Sequence, residues 1–329
     1  MENNYPFVSI IIPVRNVEKD IGRCLESLNK LNYPKNKYEV IVADSNSEDK
    51  TPQIVKQYGA IIASTPQKSI CAGRNEGLKV SRGKIIAFSD ADCLMDENWI
   101  RNSLKYFQDS NIGGVGGINI TPFDEAAFGK AVGFVLDQTI FSAGSVYGRI
   151  LKNIKEVKSI PGCNAIYRKE VLDKVMPIDE TLLGGEDYVM NQKIRQLGYK
   201  ILYTPDTIVW HYRRPTPKKF FKQIFHYGAT RLIIGKKDFK MINPIHITAG
   251  LGLPIFVALS VFLIYKNPVW FFYFLLVPGL FLLFYFFLGW FKTKSLKVAM
   301  FVPCVITILF LSWSAGFLRG LFFPLKTGK

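Results

Sequence analysis

The sequence predicts an α/β fold with a mixed, mostly parallel sheet, followed by a C-terminal transmembrane helical region. Three observations carry this prediction. Short β-branched runs alternate with amphipathic segments from residue 7 to residue 89. Acidic turns stand at the ends of two of those runs, at Asp44 and at Asp90-Ala-Asp92. Beyond about residue 244 charge nearly vanishes over three stretches of bilayer length. The chain has 329 residues, 49% of them apolar. That average hides two unlike parts, so we expect a catalytic domain over 1–212, a basic amphipathic segment over 213–243 and a membrane region over 244–329.

Phe7–Val14 is a buried strand by its apolar, β-branched character. Asp20–Leu31 carries Ile21, Cys24, Leu25 and Leu28 at helical spacing. Tyr38–Ala43 is a second strand, ended by the polar turn Asp44–Asp49. Thr51–Tyr58 is a helix that admits Pro52 in its first turn. Ala60–Ser64 is a strand, Asn75–Ser81 a helix and Lys84–Ser89 a strand. The alternation implies parallel strands covered by helices. Ligands of such sheets sit at the strands' carboxyl ends, which gathers Asp44, Asp90 and Asp92 into one crevice. Gly113–Gly117 is a strand with close backbone packing, Lys169–Val175 and Asp187–Leu197 are helices, and Lys200–Tyr203 is a short strand.

The tail holds apolar stretches at about 245–265, 268–291 and 297–323, each near the ~20 residues that cross a bilayer. Pro254, Pro278 and Pro303 fall inside them, which membrane helices tolerate. The net charge is +16. Half of it lies between Tyr212 and Met241, where nine Lys or Arg face one acid, Asp238. Within that segment Lys218–Ile234 has the pattern of an amphipathic helix on a membrane surface, with a partner-helix groove as the competing reading. A basic cluster beside apolar helices favours anionic lipid over nucleic acid, for which no recognition motif appears. Lys292, Lys294 and Lys297 make the second inter-helix loop richer in positive charge than the first, which has only Lys266. The positive-inside rule then puts the catalytic domain on the cytoplasmic side of a multi-pass cell-membrane protein. Five cysteines without a C-x-x-C spacing suggest neither a disulfide framework nor a zinc site. The apolar run Val8–Val14 is short, contains Pro13 and lacks a cleavage-like site, so it is not expected to be a signal peptide.

Asp90 and Asp92 are two carboxylates that together can hold one hard cation, Mg²⁺ or Mn²⁺. The pattern alone is common by chance. Arg74, shortly before that strand, is of a type that pairs with phosphate; the plain alternative is a surface Arg at a helix start. Glu186 and Asp187 follow two glycines at a helix start, where either can act as general base or merely cap the helix. His211 can ligate metal or contact a diphosphate, and Arg213 or Arg214 can meet phosphate. Residues 204–216 are the expected water-excluding lid.

Five motifs in order carry a resemblance: Val8-Ser-Ile-Ile-Ile-Pro-Val-Arg-Asn16, Val40–Thr51, Gly73-Arg-Asn-Glu-Gly77, Phe88-Ser-Asp-Ala-Asp92 and Gly185-Glu-Asp187. Over residues 7–235 the chain resembles the inverting glycosyltransferases of family 2. It looks closest to membrane-associated members that build extracellular polysaccharide or lipid-linked glycans. The resemblance implies a Rossmann-like nucleotide-diphosphate-sugar transferase fold and a Mg²⁺ or Mn²⁺ cofactor. By carry-over, Pro13, Val14, Arg15 and Asp44 contact the nucleotide base. Arg74 supports the nucleotide and diphosphate, while Asp90, with Ala91 beside it, meets the ribose or sugar. Asp92 ligates the metal with help from Asp90 and His211, and Asp187 is the base with Glu186 beside it. Gln223 is the remnant of the processive enzymes' Gln-x-x-Arg-Trp motif. The segment Gln223–Tyr227 lacks the Arg, which argues against polymer synthesis. The implied partners are a nucleotide-diphosphate-sugar donor, a lipid-linked or glycan acceptor, and membrane lipids. A polyprenyl-phosphate acceptor (dolichyl- or undecaprenyl-phosphate) is the close alternative, and a non-catalytic membrane scaffold the distant one.

Overall fold

The computed structural model describes residues 5–142, 144–182 and 184–322. In chain order its elements begin with β1 (Val8–Val14), α1 (Ile21–Asn29), β2 (Tyr38–Asp44), α2 (Thr51–Gln57), β3 (Ile61–Ser64), α3 (Ile70–Val80), β4 (Ile85–Phe88) and β5 (Cys93–Met95). Next come α4 (Trp99–Leu104), β6 (Ile112–Ile120), α5 (Ala127–Asp137), β7 (Lys155–Glu156), β8 (Ala165–Arg168), α6 (Lys169–Leu172) and α7 (Glu186–Gln196). The last are β9 (Lys200–His211), α8 (Pro217–Lys237), α9 (Pro244–Lys266), α10 (Pro268–Thr293) and α11 (Leu296–Phe322). They fall into two compact units, residues 5–120 with 144–211, and residues 121–142 with 212–322.

The first unit is built on one mixed sheet, ordered β3-β2-β1-β4-β8-β6-β9-β5, with β7 beside β9. Strands β3, β2, β1 and β4 run parallel, and β8 is antiparallel to both β4 and β6. Ile10, Ile11 and Ile12 of β1 are all fully buried, because helices cover both faces of this central strand. Helix α1 turns Ile21, Cys24, Leu25 and Leu28 inward, the face expected from their spacing. Val14 pairs with Asp44 and Ile11 with Phe88, so β1, β2 and β4 end along one edge. Asp44 closes β2, and Asp90 follows β4 by two residues.

Helix α3 and strand β9 extend beyond their expected bounds. Helix α3 begins at Ile70, five residues before the expected start at Asn75. Gly73 and Gly77 lower its helix propensity, but close packing requires them. A Cβ on Gly77 would lie 2.4 Å from Ile11 Cγ2, and one on Gly73 2.8 Å from Pro13 Cβ. Arg74 is therefore a buried mid-helix residue rather than a surface group at a helix start.

Strand β9 runs for twelve residues where four were expected. Pro205-Asp206 suggests a turn but forms a bulge: Gly117 pairs with Thr204 and Ile118 with Ile208, leaving 205–207 out of the ladder. A Cβ on Gly117 would lie 2.1 Å from the Thr207 carbonyl oxygen, which is why glycine stands there. The expected lid over 204–216 is thereby corrected, since 204–211 is sheet.

The second unit gathers α5, α8 and the three apolar helices. Its inclusion of residues 121–142 was not foreseen. Helix α8 buries Phe220, Ile224, Gly228, Leu232 and Ile234. It packs on α11 at very close range, since a Cβ on Gly228 would lie 2.4 Å from the Trp313 carbonyl oxygen and one on Gly316 2.0 Å from that of Phe225. The apolar face of α8 thus meets a partner helix, while Lys218, Lys219, Lys222, Lys236 and Lys237 stay exposed. Helices α9, α10 and α11 are long and apolar enough to cross a membrane, and they coincide with the expected stretches. Residues 323–329, the end of the expected membrane region, lie outside the described residues. Val261, Val277, Leu280 and Phe291 are each over 60% exposed, a density of bare apolar surface that water does not favour.

Candidate active site

The site is assembled at the carboxyl edge of β1, β2 and β4 in the first unit. Its cationic centre is Arg74, 2% exposed. The guanidinium lies over the Phe88 ring, 5.3 Å from its centroid. Nη1 donates to Glu186 Oε1 at 2.7 Å, and Nη2 stands 3.6 Å from Asp90 Oδ1. One buried cation therefore ties the acid after β4 to the acid that opens α7. Gly162 makes room for it, because a Cβ there would lie 2.3 Å from Nη2.

Asp187 is held on the other side of Gly162, whose backbone N–H donates to its Oδ2 at 3.3 Å. The Tyr188 N–H donates to Oδ1 at 2.7 Å. Gly185, at φ 72°, turns the chain into α7 through a conformation that favours glycine. Burial, with the adjacent Glu186 charge, pushes the Asp187 carboxyl up to about 6 despite Arg74. Glu186 is committed to Arg74, whereas Asp187 makes no such ion pair among the described residues and has basicity near neutral pH.

The third cluster depends on a strand pairing invisible in the sequence. β5 and β9 are antiparallel with Cys93 opposite His211, which sets the imidazole beside Asp92. His211 Nε2 lies 3.3 Å from Asp92 Oδ1. One ligand atom from each of Asp90, Asp92 and His211 falls within 4.8 Å of the others. Burial pushes Asp90 up to about 7, opposed by Arg74. Burial opposes a charged imidazole at His211, but Tyr147, Cys163 and Asp92 outweigh it and raise the histidine well above its ordinary value. The rise at His211 reflects negative charge around the ring, Asp92 included, which a divalent cation would relieve. Two carboxylates and one imidazole suit Mn²⁺ or Mg²⁺, so the residues present fit the implied metal.

Other expected residues are placed as follows. Asp44 is buried and accepts from the Ser47 N–H at 3.2 Å and from the Ser47 hydroxyl, so it caps its own turn at this edge. Pro13 and Val14 lie at the end of β1, and Arg15 is exposed with a 3.8 Å ion pair to Glu48. Ala91 is buried. Arg213, Arg214 and Gln223 belong to the second unit. Arg213 is 5% exposed, donates its backbone N–H to Glu125 and points Nε at Thr121 Oγ1, 3.4 Å away. Arg213 is thus enclosed within the second unit. Arg214 is exposed, and Gln223 donates to the Tyr227 hydroxyl at 3.2 Å.

Asn164 and Tyr147 were missed. Asn164 is fully buried, accepts from the Trp99 indole at 2.8 Å and donates to the carbonyls of Ile118 and Thr207 at 3.1 Å each. It pins β6 and the β9 bulge behind the site. The Tyr147 ring stands edge-on to His211 at 6.0 Å. Neither sits in a periodic pattern or recognisable motif.

The glycosyl transferase family 2 signature matches residues 9–176, about half of the chain. The glycosyltransferase AglE of Haloferax volcanii is 29% identical over 244 residues, covering 72% of this chain and 77% of its own. A Methanococcus voltae enzyme is 27% identical over 246 residues, covering 71% of this chain and 75% of its own. That enzyme is named dolichyl N-acetyl-alpha-D-glucosaminyl phosphate 3-beta-D-2,3-diacetamido-2,3-dideoxy-beta-D-glucuronosyltransferase. Among solved structures, the mannosyltransferase PcManGT of Pyrobaculum calidifontis, in complex with GDP-Man and Mn²⁺, superposes with a TM-score of 0.69 at 18% identity. The match covers 97% of this chain and 88% of that one, a likeness of fold. With acids, arginine and histidine gathered at one sheet edge, and the signature spanning the strands that carry most of them, the chain is a glycosyltransferase and belongs to glycosyl transferase family 2.

Proposed function

We propose that this glycosyltransferase is membrane-anchored and inverting, and that it moves a sugar from a nucleotide-diphosphate-sugar to a hydroxyl of a lipid-linked saccharide or glycan. The observation that carries this reading is a division of labour among the acids. Asp90 and Asp92 converge on His211, whereas Asp187 stands apart as a half-buried carboxylate of raised basicity. The Methanococcus voltae relative, named for a lipid-linked sugar acceptor, supports the same choice.

In this mechanism Asp187 takes the proton of the acceptor hydroxyl. The acceptor oxygen then attacks the anomeric carbon from the face opposite the diphosphate, whose bond to that carbon breaks, so the configuration inverts. Arg74 holds Glu186 and Asp90 in place; with 2% of its surface exposed, it acts on the carboxylates rather than on phosphate. Asp44 and the Pro13–Arg15 turn form the wall for the base and ribose. A divalent cation held by Asp90, Asp92 and His211, when bound, supplies the positive charge that steadies the departing diphosphate.

The catalytic domain lies on the cytoplasmic side, with the exposed lysines of α8 toward anionic lipid and α9, α10 and α11 in the bilayer. The basic loop between α10 and α11 and the bare apolar flanks of α9 and α10 support this topology.

The test is transfer by the detergent-solubilised full chain from a panel of nucleotide-sugars, with Mn²⁺ and with a chelator. Chelation is expected to stop transfer. Asp187→Asn should lower kcat/KM by roughly 10²–10⁴-fold, the usual worth of a positioned base. A substantial residual rate in that variant would instead identify a phosphate acceptor, whose oxygen is already anionic. Since only the carboxylate form accepts a proton, wild-type kcat/KM should fall as pH drops through about 6 and level off above it. Absence of transfer or hydrolysis with every donor would leave only the scaffold reading.

A further inference from the structure

His211 has two ring nitrogens, and the carboxylates use only one. Cys93 opens β5 directly opposite His211 in the β5–β9 pairing. Cys163 sits in the short turn Gly162–Asn164, with its Sγ 3.8 Å from His211 Nδ1. One ligand atom from each of Cys93, Cys163 and His211 lies within 4.8 Å of the others, as compact a set as the carboxylate group. All three side chains are buried. Asp92 and Asp90 are open to 18% and 32% of their side-chain surface, so an ion can enter from their side.

The two sets share His211 alone, and they differ in chemistry. Two thiolate sulfurs and an imidazole suit a thiophilic ion such as Zn²⁺ or Cd²⁺ and leave one coordination position open. The carboxylate set suits Mg²⁺ or Mn²⁺. A neutral imidazole carries one lone pair and one N–H. When Nδ1 ligates a soft ion, the proton sits on Nε2, where Asp92 accepts it. Nε2 is then no longer a ligand for the hard ion. The converse holds when Nε2 ligates.

We propose that Cys93, Cys163 and His211 form a second metal site for a thiophilic divalent ion, and that filling it withdraws His211 from the Asp90–Asp92 set. The enzyme would then be inhibited by zinc-like ions through one shared imidazole rather than by exchange at the carboxylates.

The first arm needs no catalysis and does not rest on the function proposed above. The full chain, reduced with a phosphine, is titrated with Cd²⁺ while the thiolate-to-cadmium ultraviolet band is recorded. The band should saturate at one equivalent with the amplitude of two thiolates. Cys163→Ser should halve that amplitude and weaken binding by roughly 10–100-fold, whereas Cys71→Ser and Cys304→Ser should leave both unchanged. Cadmium NMR of the unaltered chain, expected to report two-sulfur coordination, keeps the test decisive if the Cys163 variant fails to fold. The second arm follows Mn²⁺ by the loss of its free-ion electron paramagnetic resonance signal. One equivalent of Cd²⁺ should weaken Mn²⁺ binding in the unaltered chain and have no such effect in Cys163→Ser. A missing band, an unchanged band in Cys163→Ser, or Mn²⁺ binding indifferent to Cd²⁺ would overturn the proposal. Failure of Mn²⁺ to bind even without Cd²⁺ would count against the carboxylate site, and the cadmium band alone would then decide the thiol site.

Discussion

Asp92→Asn is expected to lower kcat/KM by roughly 10²–10³-fold or more, the scale on which one preorganised electrostatic contact to a leaving group acts. The substitution keeps the shape of the side chain and its reach toward His211 Nε2, 3.3 Å away, while removing the charge. The fold should survive, because Asp92 is partly exposed and outside the Arg74 cluster. The measurement is donor turnover against Mn²⁺ concentration, alongside a melting curve. The expected signature is a large rise in the Mn²⁺ concentration needed, with unchanged melting. Full activity at ordinary Mn²⁺ would remove Asp92 from the metal set and leave the carboxylate site without its centre.

Arg74→Met should be the most destabilising single change in the first unit, by about 3–5 kcal/mol, the cost of leaving buried charges without a partner. Arg74 faces Glu186 at 2.7 Å and Asp90 at 3.6 Å, and it also acts on Asp187. Methionine fills much of the volume but leaves these acids facing one another. The double variant Arg74→Met with Glu186→Met should recover part of the loss, since it removes the acid most closely paired with the arginine. Thermal melting of the full chain in detergent checks both. A near-neutral single variant would mean that water or a structural shift compensates the acids, and Arg74 would not be the clamp described here.

Much of the architecture is legible from residue pattern alone. The strand of Val8–Val14, the helix of Ile21, Cys24, Leu25 and Leu28, and the three apolar helices all follow from local periodicity and from length against bilayer thickness. Helix α3 is partly hidden because its glycines speak against a helix, although Ile11 and Pro13 demand them. Strand β5 is hidden because three residues carry no period. The far half of β9 is hidden because Pro205-Asp206 has the chemistry of a turn, and only the pairing with β6 makes it a bulge.

The same boundary runs through the site. Residue order and type by themselves determined the family motifs, the placement of acids at strand ends and the apolar tail, because each is a property of neighbouring residues. Tertiary structure alone decided that Arg74 joins Asp90 to Glu186, that Arg213 is internal, and that His211 meets Asp92 on one side and Cys163 on the other. These contacts join residues far apart in the chain, and strand register and burial, rather than local spacing, set which side chains meet and how strongly their charges act.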